Sequence, residues 1–132
     1  MKSNFICVDF DGTIVKHEYP NIGGPVPYAI QTIKDLQALG HKIILYTMRG
    51  HKPYIDGEIK RDTLQEAIDY LAENGITPYA INENPTQKYW TSSNKIYGNL
   101  YIDDAAFGAP LIQCDPERPY VDWLEVRKYF SL

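Results

Sequence analysis

Apolar positions along this chain follow two periods. Phe5-Ile6-Cys7-Val8, Ile43-Ile44-Leu45-Tyr46, Tyr79-Ala80-Ile81 and Leu100-Tyr101-Ile102 are short unbroken apolar runs bounded by polar residues. That is the pattern of strands buried on both faces. Between the first two runs, Val26, Ala29, Ile30, Ile33, Leu36 and Leu39 recur at helical spacing, with prolines before them and Gly40 behind. This predicts a helix of about three to four turns. A second stripe, Leu64, Ala67, Ile68, Leu71 and Ala72, opens on Asp62-x-x-Gln65 and Thr63-x-x-Glu66, both resembling capping boxes, and stops at Gly75. A strand, a helix and a strand joined this way form a parallel, right-handed unit. Leu111-Ile112 is expected as a fifth strand and Pro119 to Phe130 as a closing helix carrying Trp123, Leu124, Val126 and Phe130. Residues 15–27 and 48–60, punctuated by Gly and Pro, read as irregular: the first as a loop or flap over the strand ends, the second bearing Arg49, His51 and Lys52. The polar 82–94 reads as a loop with room for a helical turn.

Length narrows the picture to one α/β domain spanning 1–132, since 132 residues bury one core and not two. Hydrophobic residues make up 44% and charged ones 23%, the balance of a soluble globular chain. The net charge of −4 offers no general attraction to nucleic acid or to an anionic membrane, which leaves nucleic acid only as a substrate. Cys7 and Cys114 lack neighbours at metal spacing and are expected reduced, Cys7 in the core. With no signal-peptide pattern and no membrane-length apolar run, the expected location is cytoplasmic. His17, His41 and His51 also lack metal spacing and are expected on the surface. Tyr19, Tyr54, Tyr89 and Trp90 fall in loops and are expected near the mouth of a site.

The chemistry concentrates at strand ends. Asp9-Phe10-Asp11-Gly12-Thr13-Ile14 follows the first strand directly, so Asp9 emerges at its C-terminal end, where open α/β sheets bind ligands. Gly12 permits a tight turn and a close backbone approach. Thr47 ends the second strand, and Asp103 and Asp104 end the fourth. Parallel strands bring these ends together. Up to four carboxylates and a hydroxyl suit a hard, oxygen-seeking cation such as Mg2+, whereas the Cys and His ligands of zinc are missing. Lys95 is the expected cation for charge balance, with Lys88 as its alternative.

In this order, the Asp9 to Thr13 run, Thr47, Lys95 and Ile102-Asp103-Asp104 resemble the four motifs of the haloacid dehalogenase-like (HAD) superfamily, most of whose members are Mg2+-dependent phosphatases. The match runs from about Phe5 to Asp104. The resemblance implies a single Rossmann-like three-layer domain, with a central parallel sheet, the Asp9 strand in its middle, and phosphomonoester hydrolysis as its activity. Asp9 would be the nucleophile and a metal ligand. Asp11 would protonate the leaving oxygen, then activate water, and lend its backbone carbonyl to the metal. Thr47 would bind the phosphoryl group, Lys95 would bridge that group and Asp9, and Asp103 with Asp104 would complete the metal site. Gly12, Met48 and Arg49 join the expected substrate contacts, Arg49 either holding a second anionic group or being a solvated loop arginine. Many relatives carry a longer Gly-Asp-x-x-x-Asp pattern where this chain has adjacent acids. Asp104 is therefore expected on the metal and Asp103 to orient Lys95 or a metal-bound water. Neither loop is long enough for a cap domain, so the chain resembles the capless members, whose open sites accept phosphoproteins or polynucleotide ends as well as small phosphorylated molecules. Two other classes compete: a response-regulator-like phosphoacceptor domain and a catalytically idle binding module. In the first, an acidic pair comes early and the acceptor Asp on a middle strand, the reverse of the order here. Intact Asp9, Asp11, Lys95 and Asp104 argue against the second.

Overall fold

In the computed structural model, which describes residues 3–132, the chain runs β1 (Phe5–Val8), α1 (Ala29–Ala38), β2 (Lys42–Leu45), β3 (Tyr54–Asp56), β4 (Ile59–Arg61), α2 (Thr63–Glu73), β5 (Ala80–Ile81), a 3-10 helix (Pro85–Tyr89), β6 (Leu100–Ile102), β7 (Leu111–Ile112), β8 (Tyr120–Val121) and α3 (Trp123–Tyr129). β5, β2, β1 and β6 lie side by side in that order, all parallel, so the strand leading to Asp9 is interior. The architecture is an α/β fold of Rossmann-like type. Val8 pairs with Leu45 and Ile102, and Leu45 with Ile81, so the four strands end level.

Connection handedness decides how the two faces of this sheet are covered. The steps β1 to β2 to β5 move in one direction, and right-handed crossovers put α1 and α2 on the same face. There Ile6, Val8, Ile43, Leu45 and Ile102 pack with Ile33 and Leu36 of α1, Leu64, Ala67 and Leu71 of α2, and Trp123, Val126 and Phe130 of α3. The return from β5 to β6 reverses direction and covers the opposite face, where Cys7, Ile44 and Ile96 form a much smaller cluster. In place of a helical layer on that side, residues 82–99 supply one 3-10 helix, because this polar run has no apolar stripe long enough for more.

The sequence expectations need correction in several places. The segment expected to be irregular contains an antiparallel hairpin, β3–β4, closed by Gly57-Glu58 with Gly57 at φ 61°. Gly at the first of two loop residues between apolar-containing runs is a turn signal for such a hairpin. Leu111-Ile112 does not extend the parallel sheet but pairs antiparallel with β8. α1 starts three residues later than the apolar period does, since Val26 is buried ahead of the helix. His41 is buried rather than on the surface, its Nδ1 accepting from Asn4 N–H at 3.1 Å and its ring against Phe130. Cys7 is buried as expected, which raises its thiol to about 11, and both cysteines are free. Among the described residues, no helix is long and apolar enough to cross a membrane.

Candidate functional site

The turn after β1 is wound tightly on itself. Phe10 C=O accepts from Ile14 N–H at 2.8 Å and Val15 C=O accepts from Gly12 N–H at 2.7 Å, with Phe10, Ile14 and Val15 fully buried. Gly12 has φ 83°, a conformation strained for any other residue. A Cβ there would also collide with His17 Nε2 and Asp104 Oδ2. Thr13, buried, donates its hydroxyl to Asp9 Oδ2 at 3.3 Å and accepts from Asp104 N–H at 3.2 Å. The indole of Trp123 donates to Thr13 C=O at 2.7 Å, so the closing helix pins this turn from below.

Level strand ends place Asp9 and Asp103 on adjacent strands, with Asp9 N–H donating to Ile102 C=O at 2.9 Å. One oxygen each of Asp9, Asp103 and Asp104 lie within 4.8 Å of one another. Burial, the Asp103 charge and a hydrogen bond with Asp104 push the Asp9 carboxyl up to about 8. A compensating positive charge beside Asp9 would favour its ionised form. The donor set is all oxygen, which fits a hard divalent cation and not zinc. Asp103 and Asp104 both contribute oxygens. Asp103 also accepts from Ala105 N–H at 2.9 Å, and Asp104 Oδ2 lies 2.7 Å from His17 Nε2. His17, expected at the surface, is thus part of the cluster, with its side chain 15% exposed.

Asp11 faces elsewhere. Its two oxygens accept from Arg49 Nε at 2.9 Å and Nη2 at 2.8 Å. Arg49 is 2% exposed, neither a solvated loop arginine nor a substrate contact. Its remaining donors reach Pro20 C=O, Thr63 C=O and Asn21 C=O at 2.9–3.2 Å, so all five N–H groups are taken within the protein. Phe10 and Tyr19 lie against the guanidinium, their ring centroids 5.0 and 5.1 Å from its carbon. Tyr54 of β3 packs edge-on against Tyr19, and Arg61 of β4 donates to Pro20 C=O and Asn21 Oδ1. The 15–27 flap and the hairpin are thereby joined into one rim beside Asp11.

Thr47 sits two residues beyond the end of β2, its N–H donating to Asn82 Oδ1 at 2.8 Å and its hydroxyl accepting from Arg49 N–H at 3.1 Å. Met48 beside it is fully exposed. Lys95 lies on the crossover face in a cleft with Trp90, Thr91, Tyr97 and Tyr101, and its ammonium makes no ion pair among the described residues. The Lys88 ammonium lies over the ring of Tyr89 instead. Neither lysine touches the acidic cluster in this structure. Trp90 and Tyr89 are exposed on that crossover, where Trp90 packs edge-on against Tyr97. His51 pairs with Asp62, the N-cap of α2, at 2.9 Å. Sequence reasoning missed Thr13, His17 and Asn82. The Thr13 signal was present, a hydroxyl inside the acidic turn; the other two reach their partners only through the fold.

No family model and no curated protein matches the sequence. Among solved structures the chain is similar to a conserved protein from Bacteroides thetaiotaomicron, at 34% identity over 98% of this chain and 91% of that one, with a TM-score of 0.74. With that identity sustained over nearly the full length of both chains, this protein belongs to the same family as the conserved Bacteroides thetaiotaomicron protein.

Proposed function

We propose that this protein is a capless phosphomonoester hydrolase of the HAD type, working with Mg2+ through an aspartyl-phosphate on Asp9. The observation that carries the reading is the convergence of Asp9, Asp103 and Asp104 at the strand ends, with the Asp9 carboxyl raised to about 8 by burial and by the charge of Asp103. Asp9, Asp103 and Asp104 would hold the Mg2+, with the Asp11 backbone carbonyl beside them. Bound there, the cation would neutralise the cluster and offset the repulsion between a carboxylate and phosphoryl oxygens.

Asp9 attacks phosphorus; an O–P bond forms to its carboxylate as the bond to the leaving oxygen breaks. Asp11 gives the leaving oxygen a proton and later takes one from the water that hydrolyses the aspartyl-phosphate. Each Asp11 oxygen accepts one N–H from Arg49 and keeps lone-pair capacity for that exchange. Thr47 and Lys95 hold the phosphoryl oxygens, Lys95 by extending its uncommitted side chain from the crossover. Gly12 and Met48 flank the substrate's path. The insertions after Asp11 and Thr47 amount to a flap and a short hairpin rather than a domain, which keeps the site open to phosphorylated macromolecules as well as small molecules.

Arg49 also supports a second reading. A carboxylate clamped by a buried guanidinium is restrained from moving as an acid/base, which favours a phosphoacceptor that forms the aspartyl-phosphate and releases it slowly. An aryl phosphate assay separates the two. Hydrolysis predicts sustained turnover in Mg2+, abolished by chelator and reduced on the order of 10³-fold or more in Asp9→Asn. The phosphoacceptor predicts one equivalent of phenolate and then a stall. Full activity in Asp9→Asn would refute both.

A further inference from the structure

We infer that His17 is a positioning residue that holds the Asp104 carboxylate in the acidic cluster in the orientation that takes a cation; the inference rests on the metal-dependent reading above. Adjacent residues leaving a strand tend to project to opposite sides. Asp103 and Asp104 therefore need a specific contact to bring both carboxylates toward Asp9, and their like charges oppose it. The Asp104 backbone is fixed by Thr13 Oγ1, but among the described residues its side chain has one hydrogen-bond partner outside the acids, His17 Nε2 at 2.7 Å. The imidazole meets Asp104 Oδ2, and the same carboxylate supplies an oxygen to the cluster with Asp9 and Asp103. A ligating carboxylate oriented by an outer hydrogen bond is a recurrent way to tune cation affinity.

The chain commits structure to this contact. His17 follows a bridge between Asp11 and Val15, and its neighbour Lys16 donates its N–H to Gly24 C=O at 2.9 Å and pairs with Glu117 at 2.9 Å. The imidazole is thus delivered by a tied loop rather than a free one. The floor of the His17–Asp104 contact is the α-carbon of Gly12, where a side chain would strike both partners. Gly12 is needed for this approach as well as for its positive φ. Side-chain exposures of 15% for His17 and 14% for Asp104 place the contact out of bulk water, where a hydrogen bond to a charged group counts for more.

The test is Mn2+ binding to the full chain, followed by the electron paramagnetic resonance of the free ion, with half-saturating Mg2+ in the aryl phosphate assay as the second readout. His17→Ala and His17→Leu are expected to weaken Mn2+ about 10–100-fold and to raise the half-saturating Mg2+ by the same factor. His17→Gln, whose amide nitrogen reaches the Nε2 position, is expected to recover most of the loss. Melting in chelator checks that each variant is folded, and the leucine variant keeps the imidazole's bulk should alanine unfold the loop. Wild-type affinity in a folded alanine or leucine variant overturns the inference and leaves the hydrolase reading standing, as does a glutamine variant no better than leucine. A wild-type protein that binds no Mn2+ overturns both.

Discussion

Asp9 and Asp11 sit two residues apart on one turn, and their surroundings are opposite in sign. Asp9 is enclosed by Asp103 and Asp104, with the neutral hydroxyl of Thr13 at 3.3 Å, and its carboxyl is pushed up to about 8. Asp11 meets the buried Arg49 in a two-bond fork at 2.8 and 2.9 Å. One carboxylate is short of a counter-charge and the other already has one. The motif spacing delivers both acids to the strand end, but the partner each meets decides its task. Asp9 lies in an all-oxygen cluster, whereas Asp11, through Arg49, ties the turn to the flap and to α2.

The most damaging way to break this arrangement is through Arg49. Arg49→Leu strands the Asp11 carboxylate and the carbonyls of Pro20, Asn21 and Thr63, and removing one member of a buried pair costs about 3–5 kcal/mol. Urea unfolding in chelator should show the unfolding free energy fall by that amount; a loss below about 1 kcal/mol would mean the fork holds nothing together. Next in size is a pair of isosteric changes with opposite signs. Asp11→Asn forfeits a charge-assisted bond to Arg49 and should destabilise by about 1–3 kcal/mol. Asp9→Asn removes repulsion from the cluster and should raise the melting temperature of metal-free protein at pH 8. If both substitutions moved stability the same way, the contrast between the two acids would fail.

The sequence makes the sheet legible because four unbroken apolar runs need burial on two faces, and the order of strand ends follows from the handedness of their connections. The acidic cluster is legible for the same reason: level parallel strands must bring Asp9 next to Asp103. Arg49 is not, since an arginine in a Gly-rich loop has solvent as its default, and its burial requires acceptors drawn from the turn, the flap and α2 at once. His17 is hidden in the same way, its partner lying 87 residues along the chain. The hairpin escapes because Ile55 and Ile59 stay largely exposed, so β3 and β4 show no inward-facing period. Lys95 is placed by the fold on the crossover with Trp90, Thr91, Tyr97 and Tyr101, and the expected link to Asp9 is not among its contacts.

The smallest expected effect is the pH dependence that the Asp9 environment imposes on metal-free protein. A carboxyl raised from 3.8 to about 8 on folding binds its proton more tightly in the folded state than in the unfolded one. Its contribution to stability is therefore complete below about pH 4 and is lost as pH rises through about 8. Paired Asp35, Asp62 and Glu66 are lowered and act in the opposite sense, but their contribution is already complete above about pH 5. His41, lowered by burial, adds stability as pH rises toward its ordinary value of 6.5. The difference between wild type and Asp9→Asn cancels these distant groups and leaves Asp9 with its neighbours Asp103 and Asp104. Melts in chelator at pH 5, 6, 7 and 8 should show wild type losing about 1–2 kcal/mol relative to Asp9→Asn across the series, a value discounted for the solvent that reaches this carboxyl. If the cluster takes Mg2+ as proposed, the cation would favour its ionised form and should reverse the slope for wild type but not for Asp9→Asn. Parallel curves in chelator would mean that Asp9 is no more crowded by charge than Asp11, and the contrast between them would reduce to Arg49 alone.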